Sequence, residues 1–293
     1  MEKMLSGKPV ANSILDEVKN NLLLLKLKPT MALIIAGDDP ASSFYVKNIF
    51  RQTSKLEMNV DLINLSDTIT TPEFISRLSK LNDDSQVHGI MIQKPFPRQL
   101  DEVEINNTIN PDKDIDGINP INMGKLFLTQ DCFVPCTAAA VLELIKHYEI
   151  ETQGRHIVIL GRSAVVAKPL AGLLLQKSQF GNATVTICHS YTKNLEAITR
   201  AADILVTAIG KPHFVKSHMI TEKTICLDVG INLIHNDEKG DIYVGDIDYE
   251  DCFDKALAIT PVPGGIGSIT TSILLKQLLK AAKLQEGKEK KLT

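Results

Sequence analysis

The sequence is poor in the residues that mark several classes of protein. It has no tryptophan, 5% aromatic residues and five cysteines in 293 positions. The cysteines are scattered, which excludes a dense disulfide scaffold. Cys132 and Cys136 have no second cysteine pair or histidine cluster at zinc spacing, so we expect no metal site. Reduced, mostly buried thiols are typical of a cytoplasmic protein.

Charge of one sign and long apolar runs are also scarce. The net charge is −3, which provides no field for holding a polyanion, so we expect no nucleic-acid partner. The longest leucine run, residues 22–25, stops at Lys26, far short of the ~20 apolar residues of a membrane span. Residues 1–4 include both charge signs and lack the apolar core of a secretory signal. We therefore expect a cytoplasmic protein without a membrane partner.

Helical and strand patterns alternate in two successive series. With 293 residues and 44% apolar composition, two globular domains are expected. Strands separated by helices predict parallel sheets covered on both faces, hence an α/β fold. The first series has predicted helices at 10–27, 41–58 and 72–81 and predicted strands at 31–36, 60–65 and 87–93.

Residues 106–120, rich in Asn, Asp and Pro, are expected to form a loose boundary or a site rim. The last helix is expected to close back on the first domain, followed by a charged, frayed tail at 286–291. The second series has predicted helices at 137–148 and 269–282 and predicted strands at 156–160, 184–188, 204–208, 224–229 and 255–260.

A proline- and glycine-rich loop, residues 260–268 (TPVPGGIGS), lies between the last predicted strand and helix. Its prolines fix φ, and three glycines within four positions let backbone N–H groups approach a ligand without obstruction from a Cβ atom. The loop therefore predicts a surface for a flat bound group, the alternative being a tight connection without a role.

Residues 157–163 (IVILGRS) are an apolar strand that runs into Gly161 and then a helix, as in a dinucleotide-binding turn. The spacing departs from G-x-G-x-x-G, so an ordinary strand-to-helix turn is an equal alternative. The next strand ends in residues 188–192 (CHSYT) without a carboxylate, and Arg162 and Ser190 are suited to the extra phosphate of NADP. A solvated surface cation is the alternative for Arg162.

Nine short segments together resemble one known family, the methylenetetrahydrofolate dehydrogenase/methenyltetrahydrofolate cyclohydrolases. The resemblance runs from about residue 1 to residue 284. The segments, in chain order, are GDDPAS at 37–42, GIMIQKP at 89–95, KDIDG at 113–117, PCT at 135–137, GRS at 161–163, CHS at 188–190, DVGIN at 228–232, GDID at 245–248 and the loop at 260–268.

The resemblance implies oxidation of 5,10-methylenetetrahydrofolate with NADP and hydrolysis of the methenyl product to 10-formyltetrahydrofolate, in one-carbon metabolism and purine biosynthesis. It implies a homodimer and two domains. Residues 1–120 with a C-terminal helix at about 268–284 would form the folate-binding catalytic domain, and residues 137–267 the Rossmann-type NADP-binding domain.

The resemblance also implies roles for individual residues. Tyr45 would stack near the pterin, and Gln93 and Asp116 would bind its polar edge, these three being the catalytic set. The alternatives are a strand-end cap for Gln93 and a turn residue for Asp116. The remaining implied residues are Pro95, Pro263, Gly264 and Gly267 for the substrate and Gly161, Arg162, Ser163, Ser190 and Ile231 for the cofactor.

The main departure from the family pattern is Ile49. The pattern Tyr-Val-x-x-Lys that begins at Tyr45 ends here in isoleucine, and the family lysine is the acid/base residue of the hydrolysis. Lys47 and Arg51 are expected on other helix faces. Lys94 is a candidate substitute, with an amine that points to solvent as the alternative.

Smaller departures are Ala138 and Ser268 in place of prolines and Ala167 in place of a glycine. Two functions follow. The first is an NADP-dependent dehydrogenase whose cyclohydrolase activity is reduced or lost. The second is a catalytically silent folate- or NADP-binding relative with a regulatory role.

Overall fold

The structure is a computed structural model that describes residues 2–37, 40–236 and 240–292, with residues 40–44, 236 and 288–292 described as backbone. Tertiary contacts divide the chain into two compact units. The first unit contains residues 13–136 and 271–293, and the second contains residues 1–12 and 137–270. Both units are α/β, as the sequence predicts.

Helices and strands alternate along most of the described chain. The helices are α1 Gly7–Leu22, α2 Pro40–Lys55, α3 Thr71–Asp83, α4 Glu102–Thr108, α5 Pro120–Phe127, α6 Cys136–His147, α7 Ala167–Leu174, α8 Leu195–Arg200, α9 Tyr249–Phe253 and α10 Thr270–Leu292. The strands are β1 Thr30–Ala36, β2 Asn59–Leu65, β3 Gly89–Ile92, β4 His156–Leu160, β5 Thr184–Cys188, β6 Ile204–Thr207, β7 Ile225–Asp228, β8 Asn232–Asn236, β9 Gly240–Val244 and β10 Ala258–Ile259.

The first unit is built on a parallel sheet of order β2–β1–β3. The central strand β1 is apolar from Met31 to Ala36, and Leu33 within it is fully buried because both faces of a parallel sheet are covered. Helix α10 contributes Leu278 to this core, where a Cβ added at Gly89 would lie 2.9 Å from the leucine Cδ1. The small residue at position 89 therefore admits the C-terminal helix.

The second unit is built on a five-stranded parallel sheet of order β10–β7–β6–β4–β5. Strand β4 lies between β5 and β6, and its residues Val158 and Ile159 are fully buried. The amino end of the chain joins this unit, since Leu5 N donates to Ile259 O at 2.9 Å. Strands β8 and β9 form a separate antiparallel hairpin.

Several sequence-based boundaries are wrong. The region 106–120 is irregular at 109–119, as expected, but its two ends are helical, because polar residues in and before it cap helices. Asp101 accepts hydrogen bonds from the first turn of α4, and Asn119 Oδ1 accepts from Ile121 N at 2.7 Å. The predicted strand 255–260 is reduced to β10, and the hairpin β8–β9 was not predicted.

The helix predicted at 10–27 is α1, which begins three residues earlier and ends at Leu22. The tail at 286–291, predicted to be frayed, continues the α10 helix to Leu292. The contact division also differs from the expected domain limits, because residues 2–12 group with the second unit. No helix in the described ranges is long and apolar enough to cross a membrane.

Candidate active site

The polar residues implied for the folate side of the site lie at the carboxyl edge of the first sheet. Gln93 follows β3 directly, and its backbone N donates to Ile34 O of β1 at 2.9 Å. Ile90 pairs in parallel with Asp114, so the segment after Asp114 leaves the sheet at the same edge. Asp116 is therefore brought to the edge where Gln93 lies.

The Asp116 carboxyl is held in a crowded, half-buried position. Burial raises its pKa to about 6, and a hydrogen bond from the Cys136 thiol opposes the rise. Cys136 N also lies 3.4 Å from Asp116 Oδ1. The nearby Asp114 carboxylate raises the Asp116 pKa further, and the Lys94 ammonium lowers it. This carboxyl group is poised to change charge near neutral pH.

Helix α2 presents Tyr45 and Ile49 one turn apart, on one helix face. Tyr45 is half-buried, whereas the Ile49 side chain is fully buried. The family lysine position is thus filled by an enclosed apolar side chain. Lys47 and Arg51 are exposed, and Arg51 Nη2 donates to Asn48 Oδ1 at 2.6 Å.

Lys94 lies between Gln93 and an exposed Pro95, and the Lys94–Pro95 peptide is cis. Its ammonium contacts the Glu102 carboxylate of α4 and lies 5.6 Å from the centroid of the Phe96 ring. The amine is thus engaged with an acidic partner, and a role in proton transfer stays a prediction.

The turn after β4 is shaped around Gly161. Its φ is +123°, and an added Cβ would lie 2.3 Å from Ala208 O in the loop after β6. Gly161 N donates to Cys188 O of β5 at 2.9 Å, so the ends of three strands converge here. Ser163 Oγ accepts from Val166 N at 3.2 Å at the start of α7, and Ala167 is fully buried. Such a turn lets the backbone lie close to a bound dinucleotide phosphate.

Arg162 and Ser190 are exposed at the ends of neighbouring strands β4 and β5. The Arg162 guanidinium carbon lies 6.0 Å from the centroid of the exposed Tyr191 ring, a cation–π distance. Because no carboxylate follows β5 in residues 188–192, these residues fit the extra phosphate of NADP.

The proline- and glycine-rich loop 260–268 is exposed at Pro263, Gly264 and Gly267. The Val262–Pro263 peptide is cis, and Gly264 has a φ of +107°. A Cβ at Gly267 would lie 2.8 Å from Ile231 Cδ1, and Ile231 is 58% exposed. The structure therefore brings Gly267, implied for the substrate, beside Ile231, implied for the cofactor.

Two buried aspartates that support the second unit's loops were not singled out in the sequence. The Asp246 carboxylate accepts from the backbone N–H groups of Ile209 and Lys211 at 2.7 and 2.8 Å and from Asn232 Nδ2 at 3.0 Å. Asp228 accepts from Ile247 N at 2.7 Å, and burial raises its pKa to about 6. The sequence signal that could have identified these two aspartates is an acidic residue at the end of an apolar segment.

Fold and site together define an α/β protein with a dinucleotide-binding unit and a second unit with a polar sheet edge. The family comparison is more specific. The chain belongs to the tetrahydrofolate dehydrogenase/cyclohydrolase family: the model of the family's catalytic domain matches residues 5–116, and that of its NAD(P)-binding domain matches residues 135–286. The family membership and the two-domain α/β fold expected from the sequence are confirmed.

Relatives match over nearly their full length. The bifunctional protein FolD of Dehalococcoides mccartyi is 43% identical over 289 residues, which are 97% of this chain and 98% of that protein. The crystal structure of the FolD dehydrogenase/cyclohydrolase from Campylobacter jejuni is 38% identical, with a TM-score of 0.89 over 96% of this chain and 98% of its own. The Trypanosoma brucei dehydrogenase-cyclohydrolase, solved with NADP and an inhibitor, is 32% identical, with a TM-score of 0.89 over 96% and 97%.

Proposed function

We propose that this protein oxidises 5,10-methylenetetrahydrofolate to 5,10-methenyltetrahydrofolate with NADP, and that hydrolysis to 10-formyltetrahydrofolate is reduced or lost. The relatives named as bifunctional enzymes, and the one solved with NADP, support the dehydrogenase assignment. The loss of hydrolysis is carried by one observation: a fully buried isoleucine, Ile49, occupies the lysine position of the family pattern.

On the folate side, we propose that three residues bind and orient the substrate. Ionised Asp116 would accept hydrogen bonds from N–H groups at the pterin edge, because a carboxylate offers only acceptors. Gln93, at the same sheet edge, offers both a donor and an acceptor, and Tyr45 would stack on the pterin. The resemblance also implies Pro95, Pro263, Gly264 and Gly267 as substrate-binding residues.

On the cofactor side, the residues provide charge and close approach. Gly161 and Ser163 form the phosphate turn, Arg162 and Ser190 would hold the extra phosphate, and Ile231 would contact the cofactor. NADP, when bound, supplies the nicotinamide that accepts a hydride. The work of the protein is then to align the donor carbon and exclude water.

The two reactions differ in their need for a proton-transferring side chain. The lone pair of the substrate nitrogen assists departure of the hydride, so oxidation depends mainly on alignment. Addition of water to the methenyl carbon requires a base, and isoleucine cannot move a proton. General acid–base catalysis contributes ~100- to 10,000-fold, so its loss would leave the hydrolysis slow.

The wider setting is proposed from the family resemblance. The protein would be a cytoplasmic homodimer in one-carbon metabolism, and its product would serve purine biosynthesis. The functional domains would be residues 1–120 with about 268–284 for folate and 137–267 for NADP. Light scattering coupled to gel filtration tests the dimer, and a monomer at micromolar concentration contradicts it.

The function is tested by incubating purified protein with methylenetetrahydrofolate and NADP. NADPH and the methenyl product are followed separately, with NAD in a parallel reaction. We expect NADPH formation together with methenyl product that decays no faster than in buffer. Absence of NADPH at high protein concentration, with folate still bound, rejects the enzyme and supports a silent binding protein with a regulatory role.

Lys94 is tested in the same assay. If the protein accelerates hydrolysis after all, Lys94→Met should abolish that acceleration, because Lys94 is the candidate substitute amine. Hydrolysis that is unchanged in Lys94→Met contradicts the substitution, and the contact of Lys94 with Glu102 is then its role.

A further inference from the structure

Gln277, in helix α10, forms a dense set of hydrogen bonds around the segments that carry Asp116. Its Nε2 lies 2.7 Å from Ile115 O and 2.9 Å from Val134 O, and its Oε1 accepts from Val134 N at 2.8 Å. The side chain is buried, with 8% of its surface exposed. One amide thus connects Ile115, the residue before Asp116, to Val134 in the segment that precedes α6.

The same amide reaches the thiol that touches Asp116. Gln277 Nε2 lies 3.3 Å from Cys136 Sγ, so the sulfur is available as an acceptor on that side. The Cys136 thiol donates to Ile115 O at 3.5 Å, and it also lies close enough to the Asp116 carboxyl to favour its ionised form. Gln277 thereby fixes the backbone next to Asp116 and packs against the thiol that neighbours its carboxyl group.

The other side of the Asp116 segment is held by Asp114. Its carboxylate accepts from Ile118 N at 3.0 Å and Asn119 N at 2.8 Å. Between these two supports, Gly117 packs so closely that an added Cβ would lie 2.5 Å from Val134 C. Gln277 and Asp114 therefore support the segment from its two sides.

We infer that Gln277 is a positioning residue for the folate substrate: it holds Asp116, through Ile115, Val134 and Cys136, in the place and hydrogen-bonding state in which Asp116 binds the pterin. The inference rests on the proposed function and deepens it. A buried amide that satisfies two carbonyl groups and one N–H group keeps them from being left unpaired, which stabilises one geometry of the segment.

Removing the amide has a defined consequence at Asp116. The Asp116 carboxyl is surrounded by Asp114 of its own segment, Lys94 after β3 and Cys136 at the start of α6, and Gln277 of α10 contacts Cys136. The nearby cation of α10, Lys280, forms an ion pair with Asp131. Loss of the Gln277 amide releases the backbone of Ile115 and Val134, and with it the Cys136 N–H and thiol groups whose hydrogen bonds favour the ionised carboxyl group.

The test compares Gln277→Met with Gln285→Met in the full chain. Both glutamines lie on α10 and donate to a backbone carbonyl, but Gln285 Nε2 bonds to His88 O at 2.7 Å instead of to the Asp116 support. We expect Gln277→Met to raise the KM for methylenetetrahydrofolate at least ~10-fold and to move the acid limb of kcat/KM to higher pH, with the KM for NADP unchanged. Gln285→Met should leave all three unchanged.

A second pair of variants addresses the thiol. Cys136→Ala should move the acid limb in the same direction, and Cys136→Ser, which keeps a donor, should restore it. If Gln277→Met does not fold, Gln277→Asn, whose amide is one methylene too short, provides the same comparison.

Wild-type kinetics in Gln277→Met and in Gln277→Asn overturn the inference. If the wild-type protein forms no NADPH, that result refutes the proposed function and not the role of Gln277. In that case calorimetric binding of a stable tetrahydrofolate derivative tests Gln277 alone: at least ~10-fold weaker binding to Gln277→Met than to Gln285→Met supports its role, and equal binding refutes it.

Discussion

At the scale of residues, the proposed split between the two family reactions rests on single side chains. The dinucleotide turn and the polar sheet edge retain the residues that the family resemblance implies, whereas Ile49 removes a proton-transferring group from the Tyr45 face of α2. Under the proposed function, binding and proton transfer depend on different side chains, so variants should separate them.

A lysine at position 49 should restore hydrolysis. We expect Ile49→Lys to accelerate decay of the methenyl product at least ~100-fold over wild type, with a smaller change in NADPH formation. Because position 49 is fully buried, the charged amine should also lower the melting temperature. The measurement is loss of methenyl absorbance.

Ile49→Met is the matched control, since methionine has a long, unbranched side chain like that of lysine and has no amine. Equal decay rates for the lysine and methionine variants show that position 49 does not limit the hydrolysis.

The charge of Asp116 should control substrate capture. Its pKa is raised to about 6, mainly by burial, so the carboxylate that accepts pterin N–H groups is lost as the pH falls through this value. We expect kcat/KM for methylenetetrahydrofolate to fall by about tenfold per pH unit below pH 6. In Asp116→Asn the absolute value should be lower and this limb should disappear. An unaltered acid limb in that variant assigns the limb to another group.

At the scale of elements, the site depends on turns at the carboxyl ends of parallel strands. Gly161 is required both for its positive φ and for the contact with the loop after β6. Gly154, in the turn before β4, also has positive φ (+71°), but an added Cβ there would meet no atom within 4 Å. Substitutions at these two glycines therefore distinguish the effect of backbone strain, which both share, from the effect of close approach, which only Gly161 has.

Gly161→Ala should weaken NADP binding at least ~10-fold and lower the melting temperature, because its methyl group would press against Ala208 O. Gly154→Ala should lower the melting temperature by a smaller amount and leave NADP binding unchanged. Calorimetric titration with NADP and thermal unfolding measure the two effects. Equal NADP affinity in both variants contradicts a special role for the Gly161 turn.

At the scale of the whole molecule, the first unit is assembled from distant parts of the chain. Helix α10 supplies Leu274, Leu275 and Leu278 to its core, all fully buried. Burial of a leucine contributes ~1.5–3 kcal/mol, so three approach the net stability of ~5–15 kcal/mol of a typical domain. The C-terminal helix is therefore part of the first unit's core.

A chain that ends at Thr270 should fail to fold its first unit, whereas one that ends at Gly287 should keep the wild-type melting temperature within a few degrees. The longer variant retains the bond from Gln285 to His88 O and the bond from Lys26 N to Glu286 Oε1. Limited proteolysis and circular dichroism distinguish the two. A protease-resistant first unit in the chain that ends at Thr270 contradicts the assignment of α10 to its core.

Much of the fold can be predicted from local sequence. Apolar runs such as 31–36 and 156–160 predict buried strands, since such runs must be covered on both faces. Polar caps were harder to interpret: Asn119 looks like a loop residue and in fact begins α5. The hairpin β8–β9 lacks a strong local signal, because Leu233 and Tyr243, which pair across it, are both exposed apolar side chains.

The sequence by itself determined the parallel α/β class, a glycine turn between strand and helix at Gly161 and the isoleucine at position 49, because each depends on residues close together in the chain. Only the tertiary structure decided that Gln277 bonds to Ile115 O, 162 positions away, and that Asp116 is crowded enough to raise its pKa. Hydrogen bonds and desolvation depend on distances in space, and no local pattern of residues encodes those distances.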